Sequence, residues 1–567
     1  MKVVDWHRRP RVVGPDQVAV WREQGFVTDE RIGYLLEHRA AKWPDRPGVI
    51  TESGSISFAQ LAARSAAIAR SLLEGGVQPG DAVCWLLPTG ADAVATAAAI
   101  WRIGAISSPI VPLYGPREIR SVLDQVRPTG IVTFATDPRR EYPDEFDDAL
   151  KDISHTVNVR LLTSGQRAGW RSADVAGTGG LPAGVVPAAP DDPCLVLFTS
   201  GTESEPKGVV HSVAALQHEL RTTISEWGVT FRDRMVMASP MTHITGLLQG
   251  FMIPSRVGAA AVLMPRWDPE LCVDLIERTG ATYMAGATPF LRELLAAYAA
   301  SGRDRSALRQ YCCGGAAVPP ALIRSAQELG IAAYRLWGMT ELPTATTACE
   351  LDPLELRAET DGTPAPGVSL RVLDDSGHPV GPGEVGELQL RGPEMMLGYI
   401  REELNERGFT PDGWLRTGDL GWLGEDGWVR ISGRIKDIIN RGGEKFSTRE
   451  IEQALEAHPD IRAAAVVGVP GGRLGERIGA AIVSTRSDWT LEELGRTVTG
   501  AGLSRHKQPE LFRVVPALPT NATGKINKKA LLELFGPETG PDVGAPQGAG
   551  PDPNPGPHPA PTSDRGA

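Results

Sequence analysis

Four short stretches of this chain carry side chains suited to chemistry on a polyphosphate. TSGTESEPKG at 199–208 groups hydroxyls, glycines and one lysine directly after the apolar run CLVLF. Hydroxyls, backbone N–H groups and an ammonium in one loop form a cradle for phosphate oxygens. The order Gly-Lys-Ser/Thr of the common phosphate loop is missing, because Lys207 precedes Gly208. That disfavours a kinase or ATPase of the common type, which would release ADP and not AMP. YRLWGMTE at 334–341 ends on Glu341, and one carboxylate beside phosphate oxygens suits Mg2+. WLRTGDLG at 414–421 reads as a tight glycine turn whose Asp419 can accept both hydroxyls of a ribose. LPTNATGKINKKAL at 518–531 places Lys525 on a glycine-led loop. Taken singly, each stretch also has a plain reading: a Gly/Ser turn, a solvated carboxylate, a solvated lysine.

The elements that must position these residues follow from periodicity. Helical apolar spacing recurs at 31–43, 58–74, 91–105, 117–126, 213–227 and 269–279, with short apolar runs between. Such alternation predicts parallel, doubly wound sheets, with the phosphate loop expected between a strand and a helix. From about 365, LRVLDDSGHPV and GEVGELQLRG predict short antiparallel strands. In SGRIKDIINRGGEKFS at 432–447, Gly433, Gly442 and Gly443 surround Arg434, Lys436, Asp437 and Arg441. Glycine's backbone freedom there predicts a hinge. Beyond it, STREIEQALEAH, RAAAVVGVP, GAAIVST and LFRVV outline a compact α+β unit.

The expected class is therefore α/β. A large N-terminal domain (1–434) has doubly wound sheets plus a small β-barrel, and a small mobile α+β domain (435–536) carries Lys525. The Pro/Gly-rich tail 537–567 cannot bury apolar surface and is expected to be disordered.

At 567 residues the chain is too long for one core. Its 41% hydrophobic and 22% charged residues are ordinary for a soluble protein. A net charge of −11 without a basic block argues against a nucleic-acid or membrane-surface partner. The six cysteines form no CxxC pair and are expected to be reduced thiols of a cytoplasmic protein. The N-terminal MKVVDWHRRPRVV lacks the apolar centre of a signal peptide, and no stretch resembles a membrane span.

In this order, together with segment 432–447, the four stretches resemble the adenylate-forming superfamily of acyl-CoA synthetases, adenylation domains and luciferases. The resemblance runs from about 30 to 532 and is strongest to the acyl-CoA synthetase branch. It implies that a carboxylate attacks the α-phosphate of MgATP, giving acyl-adenylate and pyrophosphate. A thiol, that of CoA, then displaces AMP. By resemblance, Thr199, Ser200, Gly201, Thr202 and Lys207 hold the β- and γ-phosphates. Thr340 contacts the α-phosphate and Glu341 the magnesium ion. Trp337, Gly338, Asp419 and Arg434 belong to the nucleotide site, the last two at the ribose, with Gly314, Gly315 and Ala316 beside adenine. Lys525 bridges the reacting carboxylate and α-phosphate, and His243 gates the passage between nucleotide and acyl pockets. Lys436 sits at the hinge, with Gly442 and Gly443 along the CoA channel. The family loop reads TSGTTGxPKG, so Glu203, Ser204 and Glu205 are departures that place two carboxylates beside a triphosphate.

The acyl-pocket stretch MTHITGLLQG has no carboxylate to hold an amino-acid ammonium. Aryl-acid ligases of the siderophore type show His-Asn where this chain has His243-Ile244. The expected pocket of Ile244, Gly246, Leu247, Gly286 and Ala287 suits a bulky hydrophobic acid, and the local wording resembles cyclohexanecarboxylate-type CoA ligases. Terpenoid acids fall in the same class. Medium-chain fatty or aryl acids are the alternative substrates, and an acyl carrier protein the alternative acceptor. A luciferase-type oxygenase would share only the first step. Monomer and homodimer both remain open.

Overall fold

The computed structural model describes residues 12–135, 137, 140–173, 181–199, 205–441, 444–471, 475–520 and 525–536. Ser200, Gly201, Thr202, Glu203, Ser204, Gly442, Gly443 and the tail 537–567 lie outside the described residues. Two large sheets make up the first part of the chain. One has eight strands, in the order Gly398–Tyr399, Lys207–Ser212, Pro193–Thr199, Ile106–Pro109, Ala82–Trp85, Gly130–Thr133, Val159–Leu162, Arg171–Ser172. The other has seven: Ala332–Arg335, Gln310–Cys313, Tyr283–Gly286, Arg234–Met237, Ala260–Leu263, Pro47–Thr51, Gly54–Ser57. Every residue of Ala82–Trp85, Ile106–Pro109 and Gly130–Thr133 is buried, as parallel strands covered on both faces require. Between the sheets lies helix Ala91–Arg102, whose Ala93, Ala95, Ala97 and Ala99 share one apolar cluster with Trp85 of one sheet and Met235 of the other. Small side chains let the helix and both sheets approach closely.

The eight-stranded sheet is mixed, and this alters the expected setting of the phosphate loop. Pro193–Thr199 is followed not by a helix but by the antiparallel strand Lys207–Ser212, with Thr199 opposite Lys207. The loop is therefore flanked by two antiparallel strands. Helix Val213–Glu226 begins only after that strand, where the Ser212 hydroxyl accepts from the Ala215 N–H. The helix dipole that serves many phosphate loops is displaced from this one by the length of the added strand.

Short strands after 365 pair in the order Ser369–Leu373, Gly386–Arg391, Leu415–Leu423, Val429–Arg434, all antiparallel. Asp419 lies within the third of these, directly opposite Arg434 in the fourth. The glycine turn expected around it is strand, with Gly418 at φ +68° and a register shift just beyond.

From 438 onward the chain builds its own apolar cluster. Ile439, Phe446, Ile451, Leu455, Val466, Ile478, Ile482 and Leu494 come from a hairpin, two helices and the pair Ile461–Pro470 and Glu476–Ser484. Lys436 lies exposed in the single turn Ile435–Asp437 that joins the two parts. Gly433 does not use the left-handed backbone expected of a hinge glycine. A Cβ there would come within 2.7 Å of the Ser447 hydroxyl, which donates to the Ser432 carbonyl. Close packing, not backbone freedom, explains that glycine. Among the described residues, no helix is long and apolar enough to cross a membrane.

Candidate active site

Trp337–Met339 and Leu342–Thr347 form a tight hairpin whose connecting residues are Thr340 and Glu341. Gly338 is obligatory in it, because a Cβ would lie 1.9 Å from the Pro343 carbonyl oxygen. The hairpin tip is held from the eight-stranded sheet. His211 Nε2 bonds the Thr340 carbonyl at 2.7 Å, and the Met396 N–H donates to the Glu341 carbonyl at 2.9 Å. Tyr399 Oη donates to Glu341 Oε1 at 2.6 Å. Complete burial pushes His211 down to about 4, so the ring is neutral and its Nε2–H is the donor.

At the other end of the same hairpin, the Trp337 indole N–H donates to Asp419 Oδ2 at 2.8 Å. Arg434 Nε donates to Asp419 Oδ1 at 2.7 Å. Asp419 is buried and Arg434 is half exposed. A carboxylate has about four lone-pair sites, so two remain for hydroxyl donors after these bonds. The charge of Asp419 is the largest influence holding the Arg434 guanidinium protonated.

Lys525 reaches this group from the C-terminal part. Its Cε lies 3.5 Å from where a Cβ on Gly315 would stand, and Gly315 itself is left-handed at φ +82°. Burial lowers the Lys525 ammonium, Arg434 lowers it further, and Asp419 and Glu341 pull it back up. His243 is pushed down to about 4 by burial and then by Lys525. The lysine thus stands within electrostatic reach of His243, Arg434, Asp419 and Glu341, while Gly314, Gly315 and Ala316 form an open ledge beneath it. Among the described residues, no three His, Cys, Asp or Glu side chains gather as a metal cage. A single carboxylate, here that of Glu341, could serve a Mg2+ ion that arrives with substrate phosphates.

Three of the expected acyl-pocket residues, Ile244, Gly246 and Leu247, start one helix, Ile244–Leu247, which continues through a π-helical turn at Leu248–Met252 into Ile253–Val257, while Gly286 and Ala287 lie at the end of strand Tyr283–Gly286. π-Turns inside helices are frequent at functional sites, and nothing in the sequence spacing signalled this one. Ile244, Leu247 and Ala287 are buried. The two glycines do not open space by lacking a side chain. A Cβ on Gly246 would strike the Pro240 carbonyl at 2.1 Å, and one on Gly286 the Tyr311 hydroxyl at 2.7 Å. Both are required by packing. Thr199 and Lys207 flank the phosphate loop. Glu205 is half exposed and meets the Arg401 guanidinium at 3.2 Å, so its charge has a partner other than a phosphate.

His211, Tyr399 and Arg401 were not singled out by sequence. His211 and Tyr399 act on residues 129 and 58 positions away, and no local spacing encodes such contacts.

Residues 36–400 match the family described as AMP-binding enzyme, and residues 450–525 match its C-terminal domain. The chain is 32% identical to a medium-chain fatty-acid–CoA ligase of Escherichia coli, over 90% of this chain and 91% of that one. It is 32% identical to a salicyl-AMP ligase/salicyl-S-ArCP synthetase of Mycobacterium tuberculosis, over 93% and 94% of the two chains. Among solved structures, the amide bond synthetase McbA of Marinactinospora thermotolerans superposes with a TM-score of 0.78 at 28% identity. That match covers 89% of this chain and 99% of the other.

Proposed function

This chain belongs to the family of AMP-binding enzymes, and on that premise we propose that it is an AMP-forming acyl-CoA ligase acting on a bulky hydrophobic carboxylic acid. The observation that carries the reading is the seat of Lys525, over Gly315 and within electrostatic reach of His243 and of the Arg434–Asp419–Glu341 group. An oxygen of the substrate carboxylate forms the new bond to the α-phosphorus of MgATP, and pyrophosphate leaves. The sulfur of CoA then attacks the acyl carbonyl, and AMP leaves with the mixed-anhydride oxygen.

Each residue has a part in this reading. Lys525 offsets the repulsion between the two anions that must meet. An ammonium about 4 Å from a unit charge contributes roughly 4 kcal/mol at an effective dielectric of 20. Asp419, fixed by Trp337 and Arg434, keeps acceptor capacity for the ribose hydroxyls. Thr340 contacts the α-phosphate, and Glu341 receives the magnesium of the nucleotide. Thr199 and Lys207, with Ser200, Gly201 and Thr202 of the same loop, hold the outer phosphates. Neutral His243 separates nucleotide from acid without adding a charge. The lysine that aids the first step would obstruct the thiol, so the part beyond Lys436 swings away for the second, and Gly442 and Gly443 line the CoA path.

Apolar Ile244, Leu247 and Ala287 and the absence of a carboxylate in 240–250 support a hydrophobic acid over an amino acid. We place alicyclic acids first, with medium-chain fatty acids next; the Escherichia coli relative named for the latter supports that order of alternatives. The test is nucleotide analysis with a panel of acids, with and without CoA. AMP and pyrophosphate are expected with a hydrophobic acid, and acyl-CoA only when CoA is present. A preference for an amino acid or a hydroxybenzoate overturns the substrate class. Transfer to a carrier protein is the second reading, supported by the Mycobacterium tuberculosis relative whose name includes such a transfer. Faster consumption of the acyl-adenylate by a carrier protein than by CoA would establish it.

A further inference from the structure

We infer that Tyr399 is a positioning residue that makes Glu341 a one-oxygen ligand and thereby selects Mg2+ over Ca2+ for the nucleotide. The inference rests on the proposed role of Glu341 and goes beyond it. Glu341 sits on a hairpin tip, a place where a side chain ordinarily rotates in solvent. Here the tip is fixed by three bonds. His211 holds the Thr340 carbonyl, Met396 holds the Glu341 carbonyl, and Tyr399 Oη holds Glu341 Oε1 at 2.6 Å. The phenol is itself placed with little freedom. The Tyr399 N–H donates to Asn405 Oδ1 at 2.7 Å, Asn405 Nδ2 donates back to the Tyr399 carbonyl at 3.1 Å, and the residue pairs with Val209 at the sheet edge. Because Val209 and His211 share strand Lys207–Ser212, the strand that leaves the phosphate loop also sets the carboxylate.

A phenol donating to Oε1 takes one of that oxygen's two lone pairs and fixes the plane of the carboxylate, which makes Oε2 the better ligand for a cation. Mg2+ demands near-ideal octahedral geometry at short distance and takes a carboxylate through one oxygen. Ca2+ accepts a looser shell and takes carboxylates through one oxygen or both. The Tyr399 bond therefore suits the smaller ion and withholds the two-oxygen mode from the larger.

The test is equilibrium binding of a non-hydrolysable ATP analogue to the full-length protein by calorimetry, in Mg2+ and in Ca2+. The parent is expected to bind the Mg2+ complex more tightly. Tyr399→Phe should lower the Mg2+:Ca2+ affinity ratio by about tenfold, with the loss on the magnesium side. A parent without preference, an unchanged ratio in Tyr399→Phe, or equal weakening with both ions overturns the inference, since a merely structural tyrosine would affect both complexes alike. Tyr399→His, which restores a donor, should recover part of the ratio; recovery equal to that of Tyr399→Leu counts against it. Glu341→Gln separates the two levels. If it binds both complexes like the parent, Glu341 is not the metal ligand and the role given above fails. If it loses the metal effect while Tyr399→Phe keeps the parental ratio, only the selectivity fails.

Discussion

A lysine set among an arginine and two carboxylates is held in place by their balance, and its charge is worth more there than in bulk water. Lys525→Ala should lower acid-dependent pyrophosphate exchange by about 10²–10³-fold, the loss typical of one electrostatic donor in a preorganised site. Thioester formation from supplied acyl-adenylate should be largely spared, because on the proposed reading that step uses another orientation of the C-terminal part. Pyrophosphate exchange at the parental rate would remove Lys525 from the first step. At this scale the sequence offers candidates wherever residue type alone limits the role. Glu341, Asp419 and Lys525 could be proposed from an acid beside phosphates, an acid beside a ribose and a cation on a glycine-led loop. What their neighbours do was not legible. The bond from Trp337 to Asp419 spans 82 positions, and Tyr399 acquires its meaning only when a sheet edge brings it to Glu341.

Elements decide two further outcomes. The α/β alternation and the helix Pro269–Thr279 were readable from spacing, since helices and buried parallel strands each have a distinct period. Strand Lys207–Ser212 was not, because KGVVHS is short, mixed in polarity and contains a glycine, and periodicity cannot assign so brief a run. Its presence sets the phosphate loop between antiparallel strands and lets Glu205 lean on Arg401, an ion pair with one exposed partner. Such pairs contribute about 0–1 kcal/mol, so Glu205→Gln should change the KM for ATP by less than about threefold; a larger fall would mean that Glu205 competes with the triphosphate. Helix Val213–Glu226 raises a different matter. Its Glu219 is fully buried, and burial pushes its carboxyl up to about 7 against the bonds from Thr344 and Thr223. The folded-state pKa is raised, so the stability associated with the bound proton is fully present below pH 4.5, where both states hold it, and is lost as pH rises toward 7. Glu219→Gln keeps an acceptor for both threonines and abolishes the titration. Its stability relative to the parent, measured by denaturant unfolding, should improve by about 3 kcal/mol between pH 4.5 and pH 8. A pH-independent difference would show that Glu219 does not change protonation there.

For the molecule as a whole, the seat of Lys525 depends on contacts far from the lysine. Helix Thr448–Glu456 of the C-terminal part directs Arg449 to Asp361 at 3.8 Å, and Glu456 at its far end meets Arg292 at 3.8 Å. Asp361 is buried, accepts from the Ile431 N–H at 2.8 Å and lies 4.0 Å from Arg335, so it remains compensated when Arg449 departs. That is the property a reversible latch needs. An aspartate left without any partner would oppose release by several kcal/mol, whereas one still paired with Arg335 lets the C-terminal part leave at modest cost. Removing the arginine should accordingly disfavour the arrangement seen here by about 1–2 kcal/mol without unfolding either part. Arg449→Ala is expected to slow pyrophosphate exchange by roughly tenfold, the kinetic equivalent of about 1.4 kcal/mol, and to leave CoA-dependent consumption of supplied acyl-adenylate unchanged or faster. Arg292→Ala should act in the same direction with a smaller effect, since that pair is more exposed. Equal slowing of both half-reactions by Arg449→Ala would mean that the contact supports folding and not the choice between the two orientations.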